Sequence, residues 1–297
     1  MKARTYNATE SWKEHDSTIA RVTHLVRFRK ASLSSKESSA AFTLTELCVV
    51  IAVVVVLAML VLPALAATKT QSASAGCLYN LRHLQTGCAM YATENNDYLM
   101  PNAPLQGVSA NTWCGSQGED WYNSAANTNA AQYTGSLMWP YVGNNLRAYR
   151  CPGDVVPSAN GTRIRSYSMN GQMGSILQLP SNPGWKVFLK GSDLTTLAPV
   201  NAFVFCDESM YSLNDGFLQV DCNNPGWPDV PACYLEGGCG FSFADGHAEV
   251  RRWLTSALKN VPYVYGIGYP DPAVAAMPGG KGNLDWVWFT QHATSHQ

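Results

Sequence analysis

The chain is poor in charged side chains and lacks the motifs that mark many enzymes. Asp, Glu, Lys and Arg make up 14% of its 297 residues, and the formal net charge is −1. The sequence contains no Ser nucleophile elbow, phosphate-binding loop or His-Glu-x-x-His helix. It also lacks a basic stripe with interleaved aromatic residues, which argues against a nucleic-acid partner. We therefore expect no enzymatic activity and assign no catalytic residue.

Cysteine is abundant, yet none of the nine forms a Cys-x-x-Cys pair. Local zinc sites use that spacing, so a zinc cluster is not favoured. Cys48 lies in an apolar segment, and the other eight form an even set, which is typical of export to an oxidising compartment. The candidates for two disulfide bonds are the four that lie close together in sequence: Cys206, Cys222, Cys233 and Cys239.

Residue patterning predicts an α+β fold with one long helix and an antiparallel sheet with long loops. Gly and Pro fill 40 positions, which favours short strands and many turns. A helix is expected from about Phe42 to about Glu94, because apolar residues after the first apolar run recur at a spacing of three to four. That stripe consists of Leu78, Leu81, Gln85, Cys88, Tyr91 and Ala92. Cys77 and Cys88 would lie about 16 Å apart on this helix, too far to pair with each other, so each should pair with the sheet region or stay a free core residue.

Two segments beyond the helix carry strand patterns. Residues 201–207 are a strand candidate, and residues 241–251 form the best hairpin pattern in the chain. In the hairpin, Asp245-Gly246 would make the tight turn and His247 would begin the return strand.

A charge-free segment of 21 residues runs from Leu47 to Ala67. About 20 such residues are needed for a helix to cross the hydrocarbon core. The preceding basic residues are Arg27, Arg29, Lys30 and Lys36, so the N-terminus is expected in the cytoplasm. A cleaved secretory signal, ending near Ala64-Leu65-Ala66, and a plain uncleaved anchor are the alternatives. A secretory signal gains nothing from the carboxylate of Glu46 at the start of the apolar run, whereas a plain anchor stays open.

The stretch Ala41-Phe42-Thr43-Leu44-Thr45-Glu46-Leu47, followed by the apolar run, resembles the processing site of type IV prepilins and type II secretion pseudopilins. In that family a membrane-embedded peptidase cuts before the Phe and the new amino group is methylated. The resemblance makes Phe42 the first mature residue, Glu46 the fifth and Pro63 the twenty-second. Ala41 departs from the family pattern, which has Gly before the cut.

The resemblance also implies how the chain is organised and what it contacts. Residues 1–41 would be a cleaved cytoplasmic leader, 42–67 a transmembrane helix, 68–95 its amphipathic continuation and 96–297 an exported β-rich domain. A leader of this length raises a downstream start codon as an alternative. The protein would be a single-pass inner-membrane subunit with its C-terminal domain in the periplasm or outside the cell. Its partners would be the prepilin peptidase/methylase, other pilin or pseudopilin subunits and the inner-membrane assembly platform.

The resemblance also implies roles for particular residues. Glu46 would meet the amine of a neighbouring Phe42 in a filament, and Pro63 would kink the helix near the membrane exit. Further pieces resemble a large group of pseudopilin-like proteins: Tyr141-Val142-Gly143-Asn144, Arg150-Cys151-Pro152-Gly153-Asp154, Ser166-Tyr167-Ser168-Met169-Asn170-Gly171 and Phe243-Ala244-Asp245-Gly246-His247. Many members carry a His ten positions before the Asp of the last motif, where this chain has Leu235.

Three further hypotheses remain open at this stage. Some major secretion pseudopilins bind calcium in a C-terminal loop, and the candidate ligands here are Asp207, Glu208, Asp215 and Asp221, with a solvated acidic loop as the alternative. An anchored adhesin or carbohydrate-binding protein would use loop tryptophans, namely Trp113, Trp121, Trp139, Trp185 and Trp227. An exported hydrolase would use Asp245 and His247.

Overall fold

The structure is a computed structural model that describes residues 42–102, 111–115, 118–119, 122–156, 158–175, 182–255, 258 and 280–297. The predicted leader, including Ala41, and the candidate Trp121 lie outside the described residues. The chain divides into two compact units, with the boundary between Val54 and Val55.

The first helix, α1, spans Leu44–Glu94, as the apolar periodicity predicted. It begins with a reciprocal cap that Thr43 and Glu46 form. The Thr43 amide donates to Glu46 Oε2 at 2.9 Å, and the Glu46 amide donates to Thr43 Oγ1 at 3.3 Å. Within α1, the segment Leu44–Leu62 is long and apolar enough to cross a membrane, and none of it is buried in the protein.

The C-terminal half of α1 buries one stripe of side chains. Cys77, Leu81, Leu84 and Cys88 follow a spacing of three to four and are buried in one apolar cluster. The predicted Leu78 and Tyr91 are only partly buried and pack at its edge. α1 ends where Asn96 and Asp97 take positive φ angles and the Asp97 amide donates back to the Ala92 carbonyl at 2.9 Å. The predicted helix stop is therefore confirmed.

The described strands form one five-stranded mixed sheet in the order β3-β1-β2-β4-β5. The strands are β1 Tyr167–Asn170, β2 Phe203–Asp207, β3 Phe217–Leu218, β4 Gly238–Phe243 and β5 Ala248–Arg252. β1 and β3 run parallel, and the other neighbours run antiparallel. The predicted strand at 201–207 and the hairpin at 241–251 are both present, so the mixed α+β class is confirmed. One parallel strand pair was not predicted.

Short helices complete the described fold around the sheet. They are α2 Ala131–Thr134, α3 Leu284–Ala293 and the 3-10 turns Ala125–Thr128, Leu146–Tyr149, Gly191–Asp193, Pro199–Asn201 and Gly280–Gly282. Asn283 caps α3, because its Oδ1 accepts from the amides of Asp285 and Trp286. A second apolar cluster, which includes Phe203, Phe241 and Phe289, buries one face of α3.

Candidate functional site

The N-terminal residues of the described chain are exposed. Phe42 is 74% exposed, and the carboxylate of Glu46 accepts from both the amide and the hydroxyl of Thr43, at 2.9 and 2.7 Å. The helix continues through Pro63. Glu46 is therefore held at the first turn of an apolar, exposed helix by its own chain. Processing at Ala41 and pairing in a filament stay predictions.

The four predicted calcium ligands do not converge. Asp207 and Glu208 are consecutive at the end of β2, where Asp207 faces Cys77 and Glu208 accepts from Ser168. Asp215 accepts from the amide of Phe217 at 2.8 Å, and Asp221 accepts from the amides two and three residues after it at 3.0 and 2.8 Å. Among the described residues these four carboxylates form no common metal-binding group. Calcium binding stays a prediction.

A buried arginine, which sequence reasoning missed, lies among the carboxylates of this region. Arg165 pairs with Glu119 and donates to the Tyr167 carbonyl at 2.7 Å and to Ser168 Oγ at 2.6 Å. Burial raises the pKa of Glu208 well above its usual range, and the positive charge of Arg165 offsets this only in part. An internal cation thus already occupies the acidic region in which calcium was expected. Arg163 and Arg165 lie two positions apart in a chain poor in charge, and this was the signal that the sequence offered.

A second buried group brings together residues from three distant parts of the chain. The sulfur atoms of Cys77 and Cys151 and a carboxylate oxygen of Asp207 all lie within 4.8 Å of one another, and all three residues are buried. The Cys77 thiol donates to Asp207 Oδ2 at 3.0 Å, and Ser166 Oγ donates to Asp207 Oδ1 at 3.3 Å. We call Cys77, Cys151 and Asp207 the thiol–carboxyl cluster. Sequence spacing gave no indication of it.

Burial dominates the electrostatics of the thiol–carboxyl cluster. It raises the pKa of Asp207 to about 7, although hydrogen bonds from the two thiols and from Ser166 lower it in part. Burial also raises the pKa of the Cys77 thiol, and the neighbouring Cys151 and Asp207 raise it further. The neutral thiols are thus strongly favoured, and Asp207 is the group best able to accept a proton from them.

Helix α1 and the sheet position this cluster by close packing. Asn80, one turn beyond Cys77, donates to the carbonyls of Arg147 and Arg150 at 3.0 and 2.8 Å and so holds the Cys151 loop against the helix. The Cys151 amide donates to Ser166 Oγ at 2.8 Å. On the sheet, a Cβ on Gly240 would lie 2.9 Å from Cys77 Sγ, so only glycine fits there without displacement.

The predicted disulfide set is not formed, since no disulfide bond joins any of the nine cysteines, all of which lie among the described residues. Of the four candidates, Cys206 and Cys239 lie on neighbouring strands with their thiols in hydrogen-bonding contact. The Cys222 amide instead donates to Asn182 Oδ1, in another loop. The pairing of β2 with β4 thus brings two of the four predicted candidates into contact, although no bond is formed.

The Asp245–His247 segment forms a structured turn, as predicted. Gly246 has a φ of 98°, and the His247 amide donates to Asp245 Oδ1 at 3.1 Å. The His247 ring stacks on Phe243 with a centroid distance of 4.3 Å. Hydrogen bonds from His247 outweigh partial burial and lower the pKa of Asp245. These contacts account for both residues as parts of the β4–β5 hairpin.

The described candidate tryptophans are engaged with their own chain. Trp113 is buried and stacks on Tyr149, and its indole N–H donates to the Gly216 carbonyl at 3.1 Å. Trp227 is buried against Phe289. Trp185 stacks on His296, and Trp139 is partly buried at the edge of the core. The geometry therefore favours packing roles for these rings.

Comparison with known proteins identified no relative of the chain. No protein-family model, no curated protein and no solved structure matches the chain. The functional argument thus rests on the residues and contacts of the chain itself.

Proposed function

We propose that the chain is a membrane-anchored pilin-like or pseudopilin subunit. It assembles through its N-terminal helix into a type II secretion or type IV pilus-like filament. The observation that carries this proposal is the exposed apolar segment at the start of α1, which follows Phe42 and contains the capped Glu46. Each side chain from Phe42 to Leu62 is exposed in the described structure. An apolar surface of this length needs lipid or the helices of other subunits to cover it.

Glu46 supplies the specificity that an apolar helix alone lacks. In the isolated subunit its carboxylate is satisfied locally by the amide and hydroxyl of Thr43. In a filament, the new amine of a neighbouring Phe42 would provide a stronger, charged partner. In low dielectric an unpaired charge is very unfavourable, so this pair would select one helix register over others.

The rest of the chain fits the same proposal. Beyond the apolar segment, α1 buries Cys77, Leu81 and Leu84 in the core that it shares with the sheet. One long helix with an apolar first half and a second half packed on a sheet is the arrangement expected of a pilin-like subunit, which supports the proposal. The exported domain would lie in the periplasm or outside the cell. The processing partner is a prepilin peptidase and methylase, and the other partners are sister subunits and the assembly platform.

The decisive test is the mature N-terminus. The full chain is co-expressed with a prepilin peptidase, and the membrane fraction is analysed by N-terminal sequencing and intact mass. We expect a methylated Phe42. Ala41→Gly is the matched control and should be cut at least as well, whereas Ala41→Arg should block cleavage. An intact residue 1 would indicate a plain anchor, and a start near residue 67 would indicate a secretory signal; either result contradicts the proposal.

A further inference from the structure

The thiol–carboxyl cluster lies where α1 meets the loop after the 3-10 turn Leu146–Tyr149. Cys77 and Cys151 are 74 positions apart in sequence, yet their sulfur atoms approach within 4.8 Å in the buried interface. Asn80 fixes the loop from the helix side, and Ser166 fixes it from the β1 side. The two thiols belong to different elements that pack against each other, so they are placed to form a covalent bond.

We propose that Cys77 and Cys151 form an intramolecular disulfide bond when the chain folds in an oxidising compartment. The bond ties α1 to the Cys151 loop and through Ser166 to the sheet. In cells this inference rests on the export that the proposed function requires. The pairing itself depends only on the fold, and it can be examined outside the cell.

The chemistry is dithiol–disulfide exchange with a small disulfide or with the disulfide of a thiol oxidoreductase. The thiolate of Cys151 attacks one sulfur of the donor, so that a mixed disulfide forms and one donor thiol leaves. The thiolate of Cys77 then attacks Cys151 Sγ, which forms the intramolecular bond and releases the second donor thiol. The two cysteines lose two protons and two electrons, and the donor leaves as two thiols.

The structure indicates this order of attack. Cys151, unlike Cys77, is among the residues that line a surface cavity of about 630 Å³, together with Asn80 and Arg150, so the first attack is assigned to Cys151 once local opening exposes its buried thiol. Cys77 donates to Asp207 Oδ2 at 3.0 Å, so the carboxylate is placed to accept its proton in the second step.

A divalent metal ion is the competing occupant of the same three residues. Two thiolates and the Asp207 carboxylate would carry three negative charges, which leaves a net negative charge on a site with a +2 ion. Besides burial, the nearby carboxylate of Asp154 already makes a negative charge on Asp207 less favourable. A disulfide instead removes both ionisable thiols and adds no charge to the buried site.

The test uses the full chain, purified from membranes in detergent. One portion is alkylated directly and digested without reduction, and its peptides and metal content are measured by mass spectrometry. A second portion is unfolded with reductant and refolded in a mixture of oxidised and reduced glutathione before the same mapping. We expect a peptide that joins Cys77 to Cys151 in both portions. If the bond were found only in the refolded portion, the pairing would be supported and export of the domain would be contradicted.

Variants provide a stability readout that does not depend on peptide mapping. Reduction should lower the melting temperature of wild type, because the disulfide no longer closes a long loop. This decrease should exceed that of the Cys77→Ala/Cys151→Ala double variant by roughly 10 °C. Cys88→Ala is the matched control on the same helix, where burial alone raises the thiol pKa, and it should keep the full effect. Free Cys77 and Cys151 after glutathione refolding would overturn the proposal, as would a stoichiometric metal ion on both thiols.

Discussion

Replacement of Asp207 by asparagine should change how the stability of the domain depends on pH. Asp207 is fully buried at the end of β2, and its carboxylate accepts from Cys77, with Ser166 as a second donor. Asparagine has nearly the same shape and keeps an acceptor oxygen for the thiol. The substitution therefore removes the ionisation while it leaves most of the packing intact.

The magnitude follows from the pKa of Asp207, which burial raises from 3.8 to about 7 in the folded state. Between these values the folded state keeps a proton that the unfolded chain has lost. The free energy of unfolding therefore falls as pH rises from about 4 to about 7, and the loss is complete above the folded pKa. At 1.36 kcal/mol for each pKa unit, the full cost is about 4 kcal/mol. From pH 5 to pH 8 the change amounts to about 3 kcal/mol.

The assay is guanidinium unfolding of the full chain in detergent, followed by tryptophan fluorescence with a reductant present so that the thiols are intact. Relative to wild type, Asp207→Asn should gain about 3 kcal/mol of unfolding free energy between pH 5 and pH 8. Asp245→Asn is the control at an exposed turn, where the pKa is lowered, so the carboxyl is ionised in both the folded and the unfolded state above pH 5 and its removal should leave the trend from pH 5 to pH 8 unchanged. If the unfolding free energy of wild type, relative to that of Asp207→Asn, rose or stayed level from pH 5 to pH 8, the ionisation of buried Asp207 would be refuted.

Three other predictions concern the anchor and the core. Glu46→Ala should still be processed but lose incorporation into sheared filaments on immunoblots, and undiminished incorporation would remove the pairing argument. Leu81→Ala should lower the free energy of unfolding by about 2–5 kcal/mol, because it leaves a cavity under the sheet, whereas the exposed Tyr79→Ala should change it by less than about 1 kcal/mol. Arg165→Met should cost about 3–5 kcal/mol because Glu119 stays buried without its cation, and adding Glu119→Gln should recover part of that loss. Equal denaturation midpoints for the single and double variants would contradict the ion-pair explanation.

Local patterns were sufficient to predict the main elements of the fold. The helix expected from about Phe42 to about Glu94 is present as Leu44–Glu94, and the predicted hairpin is present as β4 and β5. These features depend on apolar periodicity, on capping residues and on an Asp-Gly turn, all of which operate over a few neighbouring positions. The apolar span and its initial carboxylate are also readable without coordinates, and they carry the functional proposal.

Long-range placement decides the contacts that nearness along the chain leaves open. The candidate calcium ligands Asp207 and Glu208 are consecutive, yet they accept hydrogen bonds from different partners, Cys77 and Ser168. Of the four cysteines grouped by chain distance, Cys206 and Cys239 meet through strand pairing, whereas the contact of Cys77 with Cys151 was not suggested by chain distance. Nearness along the chain is thus only a partial guide to nearness in space.

Sequence patterns alone predict the long helix, its apolar first half and the carboxylate at its start. Which buried polar groups meet depends instead on how distant segments pack together. The thiol–carboxyl cluster and the pair of Arg165 with Glu119 each join residues that are far apart in sequence. No local rule predicts such contacts, because they exist only after α1 and the connecting loops have packed on the sheet.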